Sequence, residues 1–112
     1  MTGKNNPTID AQSGVATLIN VFEVEPAKQA ELARLLSEAT DELFRHQPGF
    51  VSVSIHSSLD GTRVVNYAQW KSKEDIDRVL KNPEAQSRAR QAATIAKAVS
   101  PAVYRVDTVH AG

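Results

Sequence analysis

The sequence contains no cysteine among its 112 residues. Disulfides, thiolate metal sites and a cysteine nucleophile are therefore excluded, and the reducing cytoplasm is the expected location. An excess of one charge is also missing, because 13 basic and 13 acidic residues balance to a net charge of zero. This balance argues against nucleic acid as a partner. No apolar run approaches the roughly 20 residues of a transmembrane helix, which argues against a membrane protein.

The length and composition fit one globular domain, with 41% apolar and 23% charged residues. Residues 1–14 are rich in Asn, Gly, Thr and Ser, which predicts a flexible N-terminal tail before a single domain over residues 15–112.

Hydrophobic periodicity and turn signals predict six elements within that domain. They are a strand at 15–25, a helix at 27–46, a hairpin of strands at 50–58 and 63–70, a helical region at 73–98 that is bent or broken near Asn82-Pro83, and a strand at 102–110. The order β-α-β-β-α-β is typical of an α+β ferredoxin-like sandwich, in which helices cover one face of an antiparallel sheet.

The stretch VVNYAQW at residues 64–70 places a polar amide inside an apolar strand. Side chains alternate along a strand, so Asn66 and Trp70 share one face, about 13 Å apart, with Ala68 between them. A hairpin turn at Asp60-Gly61 pairs this face with apolar residues of the preceding strand: Asn66 with Ile55, Ala68 with Val53 and Trp70 with Val51. This face should therefore lie beneath the helices.

A buried amide without hydrogen-bond partners costs on the order of 1–3 kcal/mol, so Asn66 needs either a structural partner or a ligand. The small Ala68 leaves space between the amide and the indole of Trp70, which a planar, partly polar molecule would fill. Asn20 interrupts the apolar face of the first strand, next to Phe22, in the same manner. The alternative is that a bulge or a neighbouring loop forms the hydrogen bonds of the Asn66 amide and that Trp70 is an ordinary core residue.

Three motifs occur in order along the chain: PGF at 48–50, SLDGTRVVNYAQWKSKEDI at 58–76 and NPEAQ at 82–86. This combination resembles the antibiotic biosynthesis monooxygenase family, and within it the cofactor-free oxygenases that convert anthrone-type polyketides to quinones. The resemblance implies no cofactor, a small aromatic substrate with O2, and a homodimer whose two sheets pack into a dimeric α/β barrel. His56, Tyr67 and Gln69 would then lie at the dimer interface, although His56 or Tyr67 as a proton relay is the alternative.

The resemblance also implies roles for the residues of the predicted pocket. Asn66 and Trp70 match the pair that contacts substrate in the anthrone oxygenases. A helix arginine that lines their site corresponds to Arg90 or Arg88, with Arg90 favoured, and Ile76 stands where they have a tyrosine. The predicted catalytic residues are Asn66, Trp70 and Arg90, and the predicted substrate-binding residues are Asn20, Phe22, Ala68, Ile76 and Arg88.

Haem-degrading members of the family give a second interpretation, since Asn20 and Trp70 match their pattern. Those enzymes need a helical histidine as iron ligand, and no histidine lies between His56 and His110. The scattered histidines predict no metal site, and the lack of a Gly-rich phosphate loop argues against a nucleotide cofactor. Together with these absences, the resemblance to the anthrone oxygenases implies a cofactor-independent monooxygenase. The alternatives are a non-catalytic dimeric ligand-binding or stress-response domain and a non-redox enzyme of the same fold.

Overall fold

Four antiparallel strands and three helices follow one another across residues 6–112, the part of the chain that the structure, a computed structural model, describes. The elements are β1 (Ala16–Glu23), α1 (Gln29–Glu42), β2 (Phe50–Ser57), β3 (Arg63–Trp70), α2 (Lys73–Leu80), α3 (Pro83–Ile95) and β4 (Ala98–Tyr104). The strand order is β2-β3-β1-β4, and the helices cover one face, so the predicted ferredoxin-like α+β fold is confirmed. None of the helices within these residues has the length and hydropathy that crossing a bilayer requires.

The last strand lies earlier in the chain than the sequence predicted. β4 spans Ala98–Tyr104, whereas the alternating pattern placed a strand at 102–110. Pairing with β1 decides its position, because Asn20 lies opposite Pro101 and the register ends at Tyr104. Residues 105–112 have no regular secondary structure, so the alternation there does not correspond to a strand.

A β-bulge changes the pairing at the start of β2. Ile55 lies opposite Asn66 as predicted, but Trp70 lies opposite Phe50 instead of Val51. The extra residue is Val51, whose side chain is 42% exposed, so the prediction that it lies beneath the helices was wrong. Phe50 packs edge-on against Trp70 in its place, with the two ring centroids 5.6 Å apart.

The core beneath the helices consists of two apolar clusters. The first contains Leu18, Leu43, Ala68, Trp70, Ile76, Val79 and Ala85, and the second contains Phe22, Val24, Leu32, Leu36, Val64 and Ala92. Asn20 and Asn66 lie between the clusters, at the middle of β1 and of β3. Two amides that lie side by side on neighbouring strands therefore interrupt the apolar surface of the helix-covered sheet face.

Side-chain caps fix where α2 and α3 begin. Ser72 Oγ accepts a hydrogen bond from the Asp75 backbone N–H at 3.2 Å and donates one to its carboxylate at 2.8 Å. Asn82 Oδ1 accepts hydrogen bonds from the first two free N–H groups of α3 at 2.8 and 3.2 Å. The predicted break at residues 82–83 is confirmed, and the Asn82 cap determines which residues of α3 face the sheet.

The carboxylate of Asp60 organises the hairpin turn between β2 and β3. Its Oδ1 accepts hydrogen bonds from Ser58 Oγ at 2.8 Å and from Thr62 N and Oγ1 at 3.0 and 2.7 Å. The hydrogen bonds from Thr62 and Ser58 lower the pKa of Asp60 to about 2. Gly61 follows at a φ of 81°, in the left-handed region that favours glycine.

We expect Asp60→Asn to lower the melting temperature at pH 7, because the amide oxygen is a weaker acceptor than the carboxylate. A lowered folded-state pKa means that Asp60 contributes stability above its unfolded pKa of 3.8. This contribution is lost as the pH falls through about 2, so the difference between wild type and variant should shrink from pH 4 downward. Thermal unfolding followed by circular dichroism tests this expectation. Asp107→Asn is the control, since that carboxylate bonds Arg105 outside the turn, and an equal pH-dependent effect there would contradict it.

Candidate active site

A cavity of about 330 Å³ lies between the helix-covered face of the sheet and the helices. Its walls are mostly apolar and include Leu18, Phe22, Leu36, Phe44, Val53 and Val79. Its polar lining residues are Asn20, Asn66, Trp70, Gln86 and Arg88. This volume and the predominance of apolar walls are typical of small-molecule sites in proteins.

Most of the residues that the sequence singled out line this cavity: Asn20, Phe22, Asn66, Ala68, Trp70 and Arg88. Two do not. Ile76 is fully buried in the apolar cluster that contains Trp70, so it supports the wall from behind. Arg90 lies on the exposed side of α3, and the preference for Arg90 over Arg88 as the lining arginine disagrees with the structure.

Helix geometry explains why Arg88 reaches the cavity and Arg90 does not. Ala85 and Ala92 are buried and mark the face of α3 that packs on the sheet. At about 100° per residue, Arg88 lies about 60° from Ala85 around the helix axis, whereas Arg90 lies about 140° away. The buried alanines of α3 therefore indicate that Arg88, and not Arg90, lines the cavity, provided that the start of the helix is known.

Two residues that line the cavity each contain a polar atom that is buried without a partner. The carboxamide oxygen of Asn66 and the indole Nε1 of Trp70 form no hydrogen bond among residues 6–112. Asn20 lies directly opposite Asn66 across β1 and β3 and is half-buried. Buried polar groups in proteins are normally paired, and these two belong to residues that line the cavity.

Arg88 is the one ionisable side chain among the described residues that line the cavity. Its Nη2 donates to Glu42 Oε1 at 2.7 Å, which joins α3 to the end of α1. The Arg88 side chain is 23% exposed and that of Glu42 is 60% exposed, so the guanidinium lies between the cavity and solvent. The site thus contains one positive charge in an otherwise neutral, apolar wall.

Sequence reasoning missed several residues of the cavity wall. Val99 and Pro101 belong to β4, which the alternating pattern placed too late in the chain. Gln86 lies within the quoted NPEAQ motif but was given no role, and its amide donates to the Leu80 carbonyl oxygen at 3.1 Å. Gln86 directly follows the buried Ala85, and this position could have indicated that it lines the cavity. The indication can be used only when the first residue of α3 is known.

The described residues offer no arrangement suited to a metal ion. Among residues 6–112, no three His, Asp or Glu side chains are grouped to bind one. The cavity lining in that range also contains no histidine, the axial ligand that the haem interpretation needs.

The other face of the sheet carries the remaining candidates. Tyr67 and His56 point away from the cavity, in agreement with the predicted alternation. Gln69 shares this face, is buried, and donates from Nε2 to the Thr8 carbonyl oxygen at 3.0 Å. None of these three residues contacts the cavity, so a proton-relay role has no geometric support.

Comparison with known proteins defines the family. The model of the antibiotic biosynthesis monooxygenase family matches residues 16–91, which span β1 to most of α3. The chain belongs to this family. The predicted resemblance is therefore confirmed, and the matched region contains every lining residue except those of the end of α3 and of β4.

Two known monooxygenases are similar to this antibiotic biosynthesis monooxygenase in sequence or structure. The tetracenomycin-F1 monooxygenase of Streptomyces glaucescens is 48% identical over 79 residues, which cover 70% of each chain. A monooxygenase from the gene ActVA-Orf6 of Streptomyces coelicolor, solved in complex with nanaomycin D, is 26% identical with a TM-score of 0.81. That match covers 89% of this chain and 94% of the other. The prediction of a monooxygenase is confirmed.

A further structure agrees in fold. SnoaB, a cofactor-independent oxygenase from Streptomyces nogalater, has a TM-score of 0.76 over 86% of this chain and 96% of its own. Its sequence identity is 21%, so this likeness shows the fold alone.

Proposed function

We propose that this monooxygenase oxidises a polycyclic phenol or anthrone of aromatic polyketide metabolism to a quinone, using O2 and no cofactor. The observation that carries the proposal is the apolar cavity lined by Asn66 and Trp70, each of which contains a buried polar atom without a partner. The relatives support it, since one acts as a tetracenomycin-F1 monooxygenase and another binds nanaomycin D.

An anthrone supplies every electron that the reaction needs. Loss of a proton from its methylene or enol gives a delocalised anion, which passes one electron to O2. The carbon radical and superoxide then combine to a hydroperoxide, which loses water to give the second carbonyl of the quinone. One oxygen atom enters the product and the other leaves as water with the two methylene hydrogens, so the reaction balances without an external reductant.

The residues of the cavity would hold the substrate and stabilise its anion. In this proposal Asn66 Nδ2 donates to a ring oxygen, and Trp70 packs against the rings with its indole N–H directed to a second oxygen. The Arg88 guanidinium favours the anionic form through its charge. The apolar walls orient the rings and exclude water from the reacting carbon.

Oxygen consumption by purified protein with an added anthrone tests the proposed function. We expect one O2 consumed per quinone formed, unchanged after dialysis against EDTA, with one atom of isotopically labelled O2 in the quinone. Heat-denatured protein is the control for spontaneous oxidation of the anthrone. Activity that disappears on dialysis and returns with a metal ion or a flavin would contradict the cofactor-free proposal.

We also propose a homodimer through the sheet face that the helices leave uncovered. This face contains four half-buried residues with apolar surface: Ile19, Val21, Val65 and Tyr67. Two copies packed face to face would bury them further.

We expect light scattering after size exclusion to give twice the monomer mass for the wild type. Tyr67→Asp should give a monomer, because a carboxylate would be buried without a partner. Leu59→Asp in the exposed hairpin turn is the control, and a Tyr67→Asp protein that stays dimeric would contradict this interface.

A further inference from the structure

The cavity is open to solvent on one side of α3. Most of its lining residues are buried or half-buried, but Leu80 and Val99 are 53% and 39% exposed. Gln86, Ala89 and Pro101 also line the cavity and are exposed. These five residues belong to the end of α2, to α3 and to β4. The opening therefore lies between the helices and the edge strand β4.

The two flanks of α3 differ. At about 100° per residue, Arg88 lies about 60° from the buried Ala85 on one side of the helix axis, and Ala89 lies about 40° away on the other side. On the Arg88 flank, the ion pair with Glu42 connects α3 to α1. Within residues 6–112, no hydrogen bond or ion pair connects α3 to β4. The cavity is therefore bounded by an ion pair on one flank of α3 and unbridged on the other.

The cavity is elongated, because its lining residues run diagonally across three strands. Trp70 of β3 lies opposite Ala16 of β1, whereas Pro101 of β4 lies opposite Asn20 of β1. Two strand spacings and the offset from Ala16 to Asn20 separate the backbones of Trp70 and Pro101 by about 16 Å. A flat, linear ring system matches this shape, with one end against Trp70 and the other end at the opening.

The rim of the opening offers apolar contacts and little obstruction. Leu80, Val99 and Pro101 expose apolar side chains around it, and exposed apolar patches of this kind mark ligand-binding grooves. Gln86 Nε2 donates to the Leu80 carbonyl oxygen at 3.1 Å, which fixes the junction of α2 and α3 beside the opening. Ala89 extends only a methyl group at this rim, so the gap toward β4 is unfilled.

We propose that a bound ligand extends out of the cavity between α3 and β4, and that Ala89 determines how large the emerging part can be. The ligand class is a linear polycyclic aromatic whose inner end lies against Trp70 and whose outer end carries a long or polar substituent in solvent. The aromatic nature of the ligand rests on the proposed function. The position of its outer end rests on the exposed lining residues alone.

Two anthraquinone ethers test whether a substituent leaves through the opening. 2-Methoxyanthraquinone and the tri(ethylene glycol) ether of 2-hydroxyanthraquinone share their rings and differ in the length of a neutral tail. Trp70 is the only tryptophan of the chain and lines the cavity, so quenching of its fluorescence reports binding. We expect wild-type protein to bind both ethers with Kd values within about three-fold, because a tail that stays in solvent loses little freedom on binding.

Substitutions at the rim then show whether the opening is the exit. Ala89→Phe narrows the gap from α3, and should weaken binding of the glycol ether by about ten-fold or more while the methoxy ether stays within about three-fold. Val99→Phe narrows the same gap from β4 and should act in the same direction. Both residues are exposed, so neither substitution overpacks the core.

The matched control is Ser87→Phe, which places the same phenyl group on the other side of α3. Ser87 lies about 200° from Ala85 around the helix axis, is exposed, and does not line the cavity. Its Kd values for both ethers should stay within about two-fold of the wild type, since surface substitutions away from a site change little.

The possible outcomes separate this exit from the oxygenase activity. If both rim variants discriminate between the ethers as stated but no anthrone supports oxygen uptake, the exit is supported and the proposed function fails. If oxygen uptake is normal but Ala89→Phe and Val99→Phe weaken the two ethers equally, or not at all, the proposed function is supported and the exit is overturned. Wild-type protein that rejects the glycol ether or binds neither ether also overturns the exit, as does the same discrimination in Ser87→Phe.

Discussion

Asn66→Ala should lower kcat/KM for an anthrone by about 100- to 1,000-fold, because in the proposed reaction Asn66 Nδ2 donates to the developing anion in an apolar cavity. The fold should be retained, since the wild-type Asn66 oxygen is buried without a partner and alanine removes that unfavourable group. We therefore expect a melting temperature equal to or above that of the wild type, together with the loss of activity. Steady-state oxygen consumption and thermal unfolding of the same preparations measure the two effects.

The matched control for Asn66→Ala is Tyr67→Phe, which removes a polar group from the next position of β3. Tyr67 points to the opposite face of the sheet and does not line the cavity. Its hydroxyl should be dispensable, with kcat/KM within about two-fold of the wild type. If Tyr67→Phe lost as much activity as Asn66→Ala, a proton relay through Tyr67 would replace the assignment to Asn66.

Trp70→Ala should lower the free energy of unfolding by about 3–5 kcal/mol, because its large side chain is 2% exposed and packs against Phe50. Trp70→Phe retains aromatic packing with Phe50 and removes only part of that volume, so its cost in stability should be well below that of alanine. It also deletes the unpaired indole N–H, which the proposed reaction uses as a hydrogen-bond donor. Urea unfolding gives the stability of both variants.

The two Trp70 variants separate a structural role from a chemical one. Trp70→Phe should lower kcat/KM by about ten-fold or more at temperatures where the variant is fully folded, since a hydrogen bond to a charged group is lost. Full activity in Trp70→Phe would show that the indole N–H takes no part, and that Trp70 is a packing residue of the cavity wall.

The part of the site that depends on local alternation could be predicted from the sequence. Asn66, Ala68 and Trp70 share a face because side chains alternate along any strand, and the structure places all three in the cavity wall. The resemblance to the family, now confirmed, added the association with oxygenases. Their individual roles stay proposals, because they depend on a ligand.

Long-range pairing decided what the sequence could not show. Asn20 and Asn66 lie opposite each other only because β1 pairs with β3, and no local pattern specifies that register. The bulge at Val51 adds one residue without any turn signal, and it gives Trp70 the partner Phe50. The choice between Arg88 and Arg90 depended on where α3 begins, which the Asn82 cap fixes.

The bulge in β2 and the proline in β4 have the same effect on the two exposed edges of the sheet. These two strands are its outer edges, and each carries an irregularity: the extra residue Val51 in one and Pro101, which has no backbone N–H, in the other. An incoming strand needs a regular ladder of donors and acceptors, and neither edge offers one along its whole length. Fibril growth by pairing of strand edges is thereby disfavoured. In the proposed homodimer each copy uses its one uncovered sheet face, so association ends at two copies.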